Sequence, residues 1–189
     1  MILRIWKPCY YAAILFIHQI TNPINNCAFT ALCNIQLFIM HQIIKEQFLP
    51  IDITTAWNFF STPVNLNKIT PADMTFRITS QVPDQMYEGL FISYRIAPIR
   101  GLSMKWVTEI THIEKEKYFV DEQRTGPYRI WHHEHHFKTV EGGVIMTDLL
   151  YYEIGKSIFG WIAGKLFVHK KVKHIFEYRE RILKELFPK

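Results

Sequence analysis

Residues 126–137, GPYRIWHHEHHF, join a turn signal directly to a strand in which aromatic and imidazole side chains alternate. Successive side chains of a strand point to opposite faces of its sheet. The inward set is predicted to be Trp131, His133, His135 and Phe137, and the outward set His132, Glu134 and His136. Because rings supply burial and imidazoles fix orientation, the inward face is typical of a small-molecule pocket.

Alternating apolar residues predict further strands on both sides of this stretch. They lie at His41–Leu49, Met74–Thr79, Leu90–Ile96, Met104–Thr111, Tyr118–Thr125 and Val144–Ile154. Short turns, including Glu141-Gly142-Gly143, make consecutive strands antiparallel neighbours. Between the first two strands, Asp52 or Thr54 can cap a short helix around Trp57, and a second short helix is predicted over Val64–Ile69.

The hydrophobic period changes to about 3.6 residues from Ser157 onwards, which predicts one long amphipathic helix. Its basic residues are interpreted as a solvated face; they are Lys165, Lys170, Lys171, Lys173, Arg179, Arg181 and Lys184. An antiparallel sheet with one apolar face must cover it, and this helix is the only element long enough. The predicted fold is therefore α+β, with a curved antiparallel sheet of about seven strands wrapped around a long C-terminal helix.

Composition narrows the function classes. The chain has 189 residues, 49% of them hydrophobic and 21% charged, which is typical of a globular domain. A net charge of +5 is too small to favour nucleic-acid binding. The three cysteines all lie before residue 40, so no disulfide framework is predicted, and we expect a cytoplasmic protein.

Residues 1–39 differ from the rest because they contain no Asp or Glu and only two basic residues. A secretory signal is disfavoured, because His18 ends the apolar run early and the cleavage site is poor. A membrane anchor is disfavoured, because asparagines interrupt the segment. We predict that 1–39 are translated upstream sequence or a loosely attached extension, and that a ligand-binding domain occupies 40–189.

A family resemblance rests on six segments of the sequence. They are FLPIDITTAWNFFSTPVNLNKITP (48–71), FISYRI (91–96), WVTEI (106–110), FVDEQRTGPYRIWHHEHHF (119–137), MTDLLYY (146–152) and IFEYRERIL (175–183). Together they resemble the START/Bet v 1-like (SRPBCC) superfamily with the helix-grip fold, and within it a bacterial ligand-binding, polyketide-cyclase-like subgroup. The sequence departs from that pattern at Ile154-Gly155-Lys156, where relatives tend to place a proline before the glycine.

The resemblance implies a hydrophobic cavity under the long helix that takes an apolar small molecule such as a lipid or a polyketide. The first hypothesis is a non-catalytic carrier or sensor. The second is a cyclase- or aromatase-like enzyme that uses cavity histidine and aspartate as acid and base, with His133, His135 and Asp148 as candidates. A third, peripheral membrane contact through the basic helix, ranks last, and the oligomeric state is left open.

Ten residues are predicted to meet the ligand: Tyr94, Trp106, Phe119, Asp121, Trp131, His133, His135, Phe137, Asp148 and Tyr152. Within this set, His133 and His135 with Asp121 or Asp148 are expected to form a buried polar network. Two imidazoles at i and i+2 with Asp148 could also hold an ion. Because nothing in the sequence fixes the register of a third ligand, we expect no metal and no cofactor. A mobile cavity entrance around Trp161 is a weaker alternative to close packing there.

Overall fold

The computed structural model describes residues 40–99, 102–155 and 164–189. The prediction for residues 1–39, the helix start at Ser157 and the entrance around Trp161 lie outside these ranges. The domain boundary at Met40 therefore stays a prediction.

Seven strands form one antiparallel sheet in the order β1-β7-β6-β5-β4-β3-β2. Their bounds are β1 His41–Leu49, β2 Arg77–Ile78, β3 Phe91–Ile99, β4 Leu102–Glu114, β5 Tyr118–Thr125, β6 Tyr128–Val140 and β7 Gly143–Ile154. Each strand from β2 to β7 pairs with its neighbour in sequence, and β1 returns to pair with β7. The predicted curved antiparallel sheet is confirmed.

Two helices accompany the sheet, α1 at Ile53–Phe60 and α2 at Gly164–Leu186. Asp52, one of the two predicted caps, begins α1 by accepting a hydrogen bond from the backbone N–H of Thr55 at 2.9 Å. The predicted second helix is a 3₁₀ turn at Pro63–Asn67. The predicted strand from Met74 is shorter than expected, because Met74 belongs to another 3₁₀ turn and only Arg77–Ile78 pair with β3.

Helix α2 packs a regular stripe of side chains against the inward face of the sheet. Its buried residues Val172, Phe176, Arg179 and Leu183 recur every three or four positions, so they share one face of the helix. Val172 and Phe176 pack with Leu150 and Tyr152 of β7, and Leu183 joins a cluster that includes Trp57 and Phe119. In the described part of the chain, no helix is both long and apolar enough to cross a membrane.

A β-bulge lets strand β4 keep contact with the core on both sides of Thr111. Ile110 pairs with Asp121 and His112 pairs with Val120, which leaves Thr111 as the extra residue. Since a bulge resets the side-chain alternation, Ile110 and Ile113 both face inwards.

The first residue of β7 has no room for a side chain. A Cβ at Gly143 would lie 2.2 Å from the carbonyl oxygen of Leu49, a backbone atom that cannot rotate away. We expect Gly143→Ala to lower the free energy of unfolding by about 1–3 kcal/mol, the usual cost of overpacking. Urea unfolding measures the loss. Gly155→Ala is the matched control, because its Cβ would meet its nearest neighbour at 3.5 Å, an ordinary contact; equal losses in both variants would contradict the prediction.

Candidate ligand cavity and buried histidine cluster

A cavity of about 180 Å³ lies between the inward face of the sheet and helix α2. Its wall is mainly apolar and aromatic, with residues from β3, β4, β5, β6, α2 and the segment 59–86. The lining includes Phe60, Leu66, Ile69, Met74, Ile92, Tyr94, Ile96, Trp106, Ile110, Phe119, Tyr128, Trp131 and Phe176. The polar side chains at the wall include Thr108, Asp121, His133, His135, Lys171 and Arg179.

The volume limits the size of a ligand. It exceeds the roughly 150 Å³ of an engineered cavity that admits benzene. It is smaller than the roughly 300 Å³ at which pockets for drug-sized molecules begin. In the described conformation the cavity therefore suits a molecule of one or two rings, or a short chain, rather than a whole lipid.

Strand register brings four charged or titratable residues to one place on the inward face. Asp121 of β5 stands directly opposite His133 of β6, and Asp148 of β7 stands opposite His135. All four side chains point inwards because each strand alternates, and Arg179 of α2 reaches them from the helix. We refer to Asp121, His133, His135, Asp148 and Arg179 as the histidine cluster.

Within the histidine cluster, each imidazole lies between the two carboxylates. His133 places Nε2 at 3.1 Å from Asp148 Oδ1 and Nδ1 at 3.5 Å from Asp121 Oδ1. His135 places Nε2 at 3.1 Å from Asp121 Oδ1 and Nδ1 at 2.8 Å from Asp148 Oδ1, although this last contact is too bent for a hydrogen bond. Arg179 lies 3.5 Å from the same oxygen of Asp148.

Burial and neighbouring charges shift the pKa values of the histidine cluster in different directions. Burial opposes ionisation of Asp148, yet Arg179 and the imidazoles outweigh it and hold its pKa well below 3.8. Burial likewise opposes ionisation of Asp121, but its contact with His135 lowers its pKa. Burial and the neighbouring His135 lower the pKa of His133, whereas the two carboxylates overcome burial and raise the pKa of His135.

A second polar group lies at the wall on β3 and β4. Thr108 Oγ1 accepts a hydrogen bond from Trp106 Nε1 at 3.0 Å and shares another with the hydroxyl of Tyr94. Burial raises the pKa of Tyr94, which therefore remains a neutral phenol. The cavity therefore has hydroxyl groups that can hydrogen-bond a ligand at a place away from the histidine cluster.

The outward face of β6 carries the second pair of histidines, as the alternation predicted. His132 contacts Glu122 at 2.9 Å and Glu134 at 3.1 Å, and His136 contacts Glu134 at 2.7 Å. These side chains are partly exposed, in contrast to His133 and His135, which are 3% and 6% exposed.

Of the ten predicted ligand residues, seven line the cavity: Tyr94, Trp106, Phe119, Asp121, Trp131, His133 and His135. The other three are buried beside it. Phe137 packs against Trp57 and Phe60, and Tyr152 packs among α2 residues and hydrogen-bonds His169 at 2.6 Å. Asp148 lies behind the two imidazoles. Their contact with a ligand stays a prediction.

Arg179 is the polar residue that the sequence interpretation misplaced. The sequence pattern predicts that it lies on the solvated basic face of the helix, but only 9% of it is exposed and its guanidinium lies over the ring of Phe176. Thr108 also lines the cavity, although it is not among the ten predicted ligand residues. A signal for Arg179 existed, because its spacing from Phe176 and Leu183 places it on the buried stripe.

Three residues of the histidine cluster meet the distance requirement for holding a metal ion. Asp121, His133 and His135 each offer one donor atom, and these atoms lie within 4.8 Å of one another.

Comparison with known proteins reveals similarity at the level of structure. No protein-family profile matches the chain. No curated protein is significantly similar to it in sequence. Among solved structures, the protein TTHA0849 from Thermus thermophilus is 18% identical with a TM-score of 0.58, and the match covers 77% of this chain and 95% of that one.

Two further solved structures carry informative names. Ginseng major latex-like protein 151 from Panax ginseng is 16% identical with a TM-score of 0.52, and the match covers 75% of this chain and 96% of that one. The di-domain aromatase/cyclase StfQ from the steffimycin biosynthetic pathway is 11% identical with a TM-score of 0.58; the match covers 78% of this chain and 51% of StfQ. At these identities the likeness concerns the fold alone. The chain has the Bet v 1-like, helix-grip fold that the sequence resemblance predicted.

Proposed function

We propose that the protein binds an apolar small molecule without catalysis, in the cavity between the sheet and helix α2. The observation that carries this proposal is an apolar cavity of about 180 Å³ with a buried charged cluster at its wall. Cavities of this kind hold a ligand by burying its rings or chains, while a few polar groups fix its orientation. The likeness to the fold of a major latex-like protein and of an aromatase/cyclase supports a ligand-binding role.

The walls of the cavity favour an aromatic or alicyclic ligand with a polar substituent. Trp106 meets Tyr128 and Trp131 edge-to-face with ring centroids 5.6 and 5.1 Å apart, and the rings of Tyr128 and Trp131 are tilted by 47° at 4.7 Å. Aromatic walls interact well with rings in offset or edge-to-face geometry. A polar substituent would then reach His135 or Asp121, since burial without a hydrogen-bonding partner is costly.

A cavity-filling variant tests the proposal with 4-ethylphenol as the probe. Ile92 lines the cavity and is 3% exposed, so Ile92→Phe reduces the free volume. We expect calorimetric titration to show saturable binding to the wild type and at least tenfold weaker binding to the variant. Ile44→Phe is the matched control, because Ile44 is 58% exposed on the edge strand β1.

Nuclear magnetic resonance supplies a second readout that does not depend on a variant. We expect 4-ethylphenol to shift the indole N–H signals of Trp106 and Trp131, which line the cavity, more than that of Trp57, which does not. Absence of saturable binding, or equal binding by the Ile92→Phe and Ile44→Phe proteins with no selective indole shift, would overturn the proposal.

The alternative is a cyclase- or aromatase-like enzyme, and the position of His133 favours keeping it. This imidazole lines the cavity between two carboxylates, an arrangement that can orient a ring for proton transfer. Exchange of the methyl protons of acetophenone for deuterium distinguishes the two functions. An enzyme of this class would accelerate the exchange and lose the acceleration in His133→Gln, whereas a carrier would bind the ketone without accelerating it.

A further inference from the structure

We propose that Asp121, His133 and His135 form a binding site for a divalent transition-metal ion at the wall of the cavity, with Asp148 orienting the two imidazoles from behind. The sequence alone did not favour a metal, because the register of a third ligand was unknown. The structure supplies that register: Asp121 stands opposite His133 in the β5–β6 pair.

The spacing of the three donor atoms fits coordination by zinc or a similar ion. Asp121 Oδ1 lies 3.5 Å from His133 Nδ1 and 3.1 Å from His135 Nε2. Ligands at about 2.0–2.1 Å from a tetrahedral ion are separated from each other by about 3.3 Å. The donor atoms are therefore already about as far apart as the ligands of one ion, which would replace the direct contacts of Asp121 with the two imidazoles.

Asp148 occupies the position of an outer carboxylate in a metal site. The remaining nitrogens, His133 Nε2 and His135 Nδ1, lie 3.1 and 2.8 Å from Asp148 Oδ1. Histidines that bind metals usually donate their second ring N–H to a carboxylate, which fixes the tautomer and the orientation of the ring. Asp148 hydrogen-bonds His133 Nε2 and lies in charge contact with His135 Nδ1, so His133 Nδ1 and His135 Nε2 are left for the ion.

The charge of the histidine cluster and the types of its donor atoms limit which metal ions fit the site. Arg179 offsets one of the two buried carboxylates, so a single negative charge remains to be balanced. A proton or a divalent cation can each do so, and the cation leaves a net positive charge that attracts an anionic oxygen. Two imidazoles and one carboxylate suit Zn²⁺, Fe²⁺ or Co²⁺ better than Mg²⁺ or Ca²⁺, which prefer oxygen ligands.

The site would remain open on one side. Asp121, His133 and His135 all line the cavity, whereas Asp148 does not. Three protein ligands and an open position are typical of metal sites that bind or activate a further molecule. An oxygen of the cavity ligand could therefore complete the coordination.

Titration with Co²⁺ tests the site directly. The full-length protein is first treated with a chelator, which is then removed by dialysis. We expect one equivalent of Co²⁺ to bind and to give visible absorption typical of low coordination number, and Zn²⁺ to displace it. His133→Gln and His135→Gln should each weaken Co²⁺ binding at least tenfold, and lowering the pH should weaken it because the imidazoles must be neutral.

Control variants on the same strand separate this site from adventitious binding. His132→Gln and His136→Gln change imidazoles on the outward face of β6, so they should leave Co²⁺ affinity within twofold of the wild type. Circular dichroism checks that each variant is folded, and Asp121→Asn replaces any histidine variant that is not. Absence of Co²⁺ binding at millimolar concentration would overturn the proposal. Loss of binding in the outward variants, with retention in the inward ones, would also overturn it.

Discussion

Asp148→Asn is expected to lower the free energy of unfolding by about 3–5 kcal/mol at pH 7 in the presence of a chelator. The substitution keeps the shape of the side chain but removes the negative charge that Arg179 faces at 3.5 Å. Since the guanidinium cannot lose its proton, it would remain charged inside the protein with a weaker partner. Urea unfolding followed by circular dichroism measures the loss.

A surface carboxylate provides the control for Asp148. Asp73 pairs with Lys171 at 2.8 Å, but its side chain is 53% exposed, so Asp73→Asn should cost less than about 1 kcal/mol. Arg179→Met combined with Asp148→Asn removes both charges together. We expect the double variant to lose at least about 1 kcal/mol less than the sum of the single variants. Additive losses would contradict the idea that these two charges stabilise each other.

The dependence of stability on pH in the acidic range independently tests whether Asp148 is ionised in the folded protein. Its pKa is lowered by folding, so its contribution to stability is complete above the ordinary value of 3.8 and is lost as the pH falls through the folded value. The gap between the wild type and Asp148→Asn should therefore narrow below pH 3.8. A gap that widens with acidification would show that Asp148 is not ionised in the native state.

The strands were predictable from sequence because each inward face repeats with a period of two. On β6, residues 131–137 alternate without interruption, so the buried positions of His133 and His135 followed directly from the pattern. Where the repeat is short, the prediction failed. Met74 and Phe76 continue the alternation of Ile78, yet Thr75 takes a left-handed backbone conformation with φ of 44° and breaks the strand there.

Partners across strands could not be predicted, because the alternation of one strand says nothing about its register with the next. The sequence offered Asp121 and Asp148 as equivalent partners for the imidazoles. The register separates their roles: Asp121 lies opposite His133 at the cavity wall, whereas Asp148 lies opposite His135 and meets Arg179. The bulge at Thr111, which shifts the register between β4 and β5, is likewise invisible in the sequence pattern.

For Arg179, the residue type predicts exposure to solvent, whereas the helical periodicity predicts the buried position that the structure has. A basic residue on an amphipathic helix is usually solvated, and its neighbours Tyr178, Glu180 and Arg181 are polar or partly exposed. Its position, however, continues the stripe of Val172 and Phe176 towards Leu183. A charged residue on a buried stripe is unexpected unless a partner is present, and that partner is Asp148.

Trp57 connects the hydrophobic core to the histidine cluster. It lies on α1, is 3% exposed, and meets the ring of Phe119 edge-to-face with centroids 6.2 Å apart. Phe119 in turn stacks on His135 at 4.3 Å with the two planes 22° apart. Trp57 itself does not line the cavity, so a change at this position reaches the cluster only through packing.

Trp57→Ala is expected to lower the free energy of unfolding by about 3–5 kcal/mol, because it leaves a large void among well-packed aromatic rings. Trp57→Phe should cost less and should keep the protein folded for binding measurements. Phe91→Ala is the control, since Phe91 is 53% exposed and its truncation should change stability by about 0.5 kcal/mol or less. Urea unfolding of the three variants gives the order of the losses in stability.

If Phe119 positions His135 through its own contact with Trp57, then Trp57→Phe should also weaken 4-ethylphenol binding, although no atom of residue 57 lines the cavity. If the Trp57→Phe protein is destabilised but binds 4-ethylphenol with unchanged affinity, then the strands alone hold His135 in position.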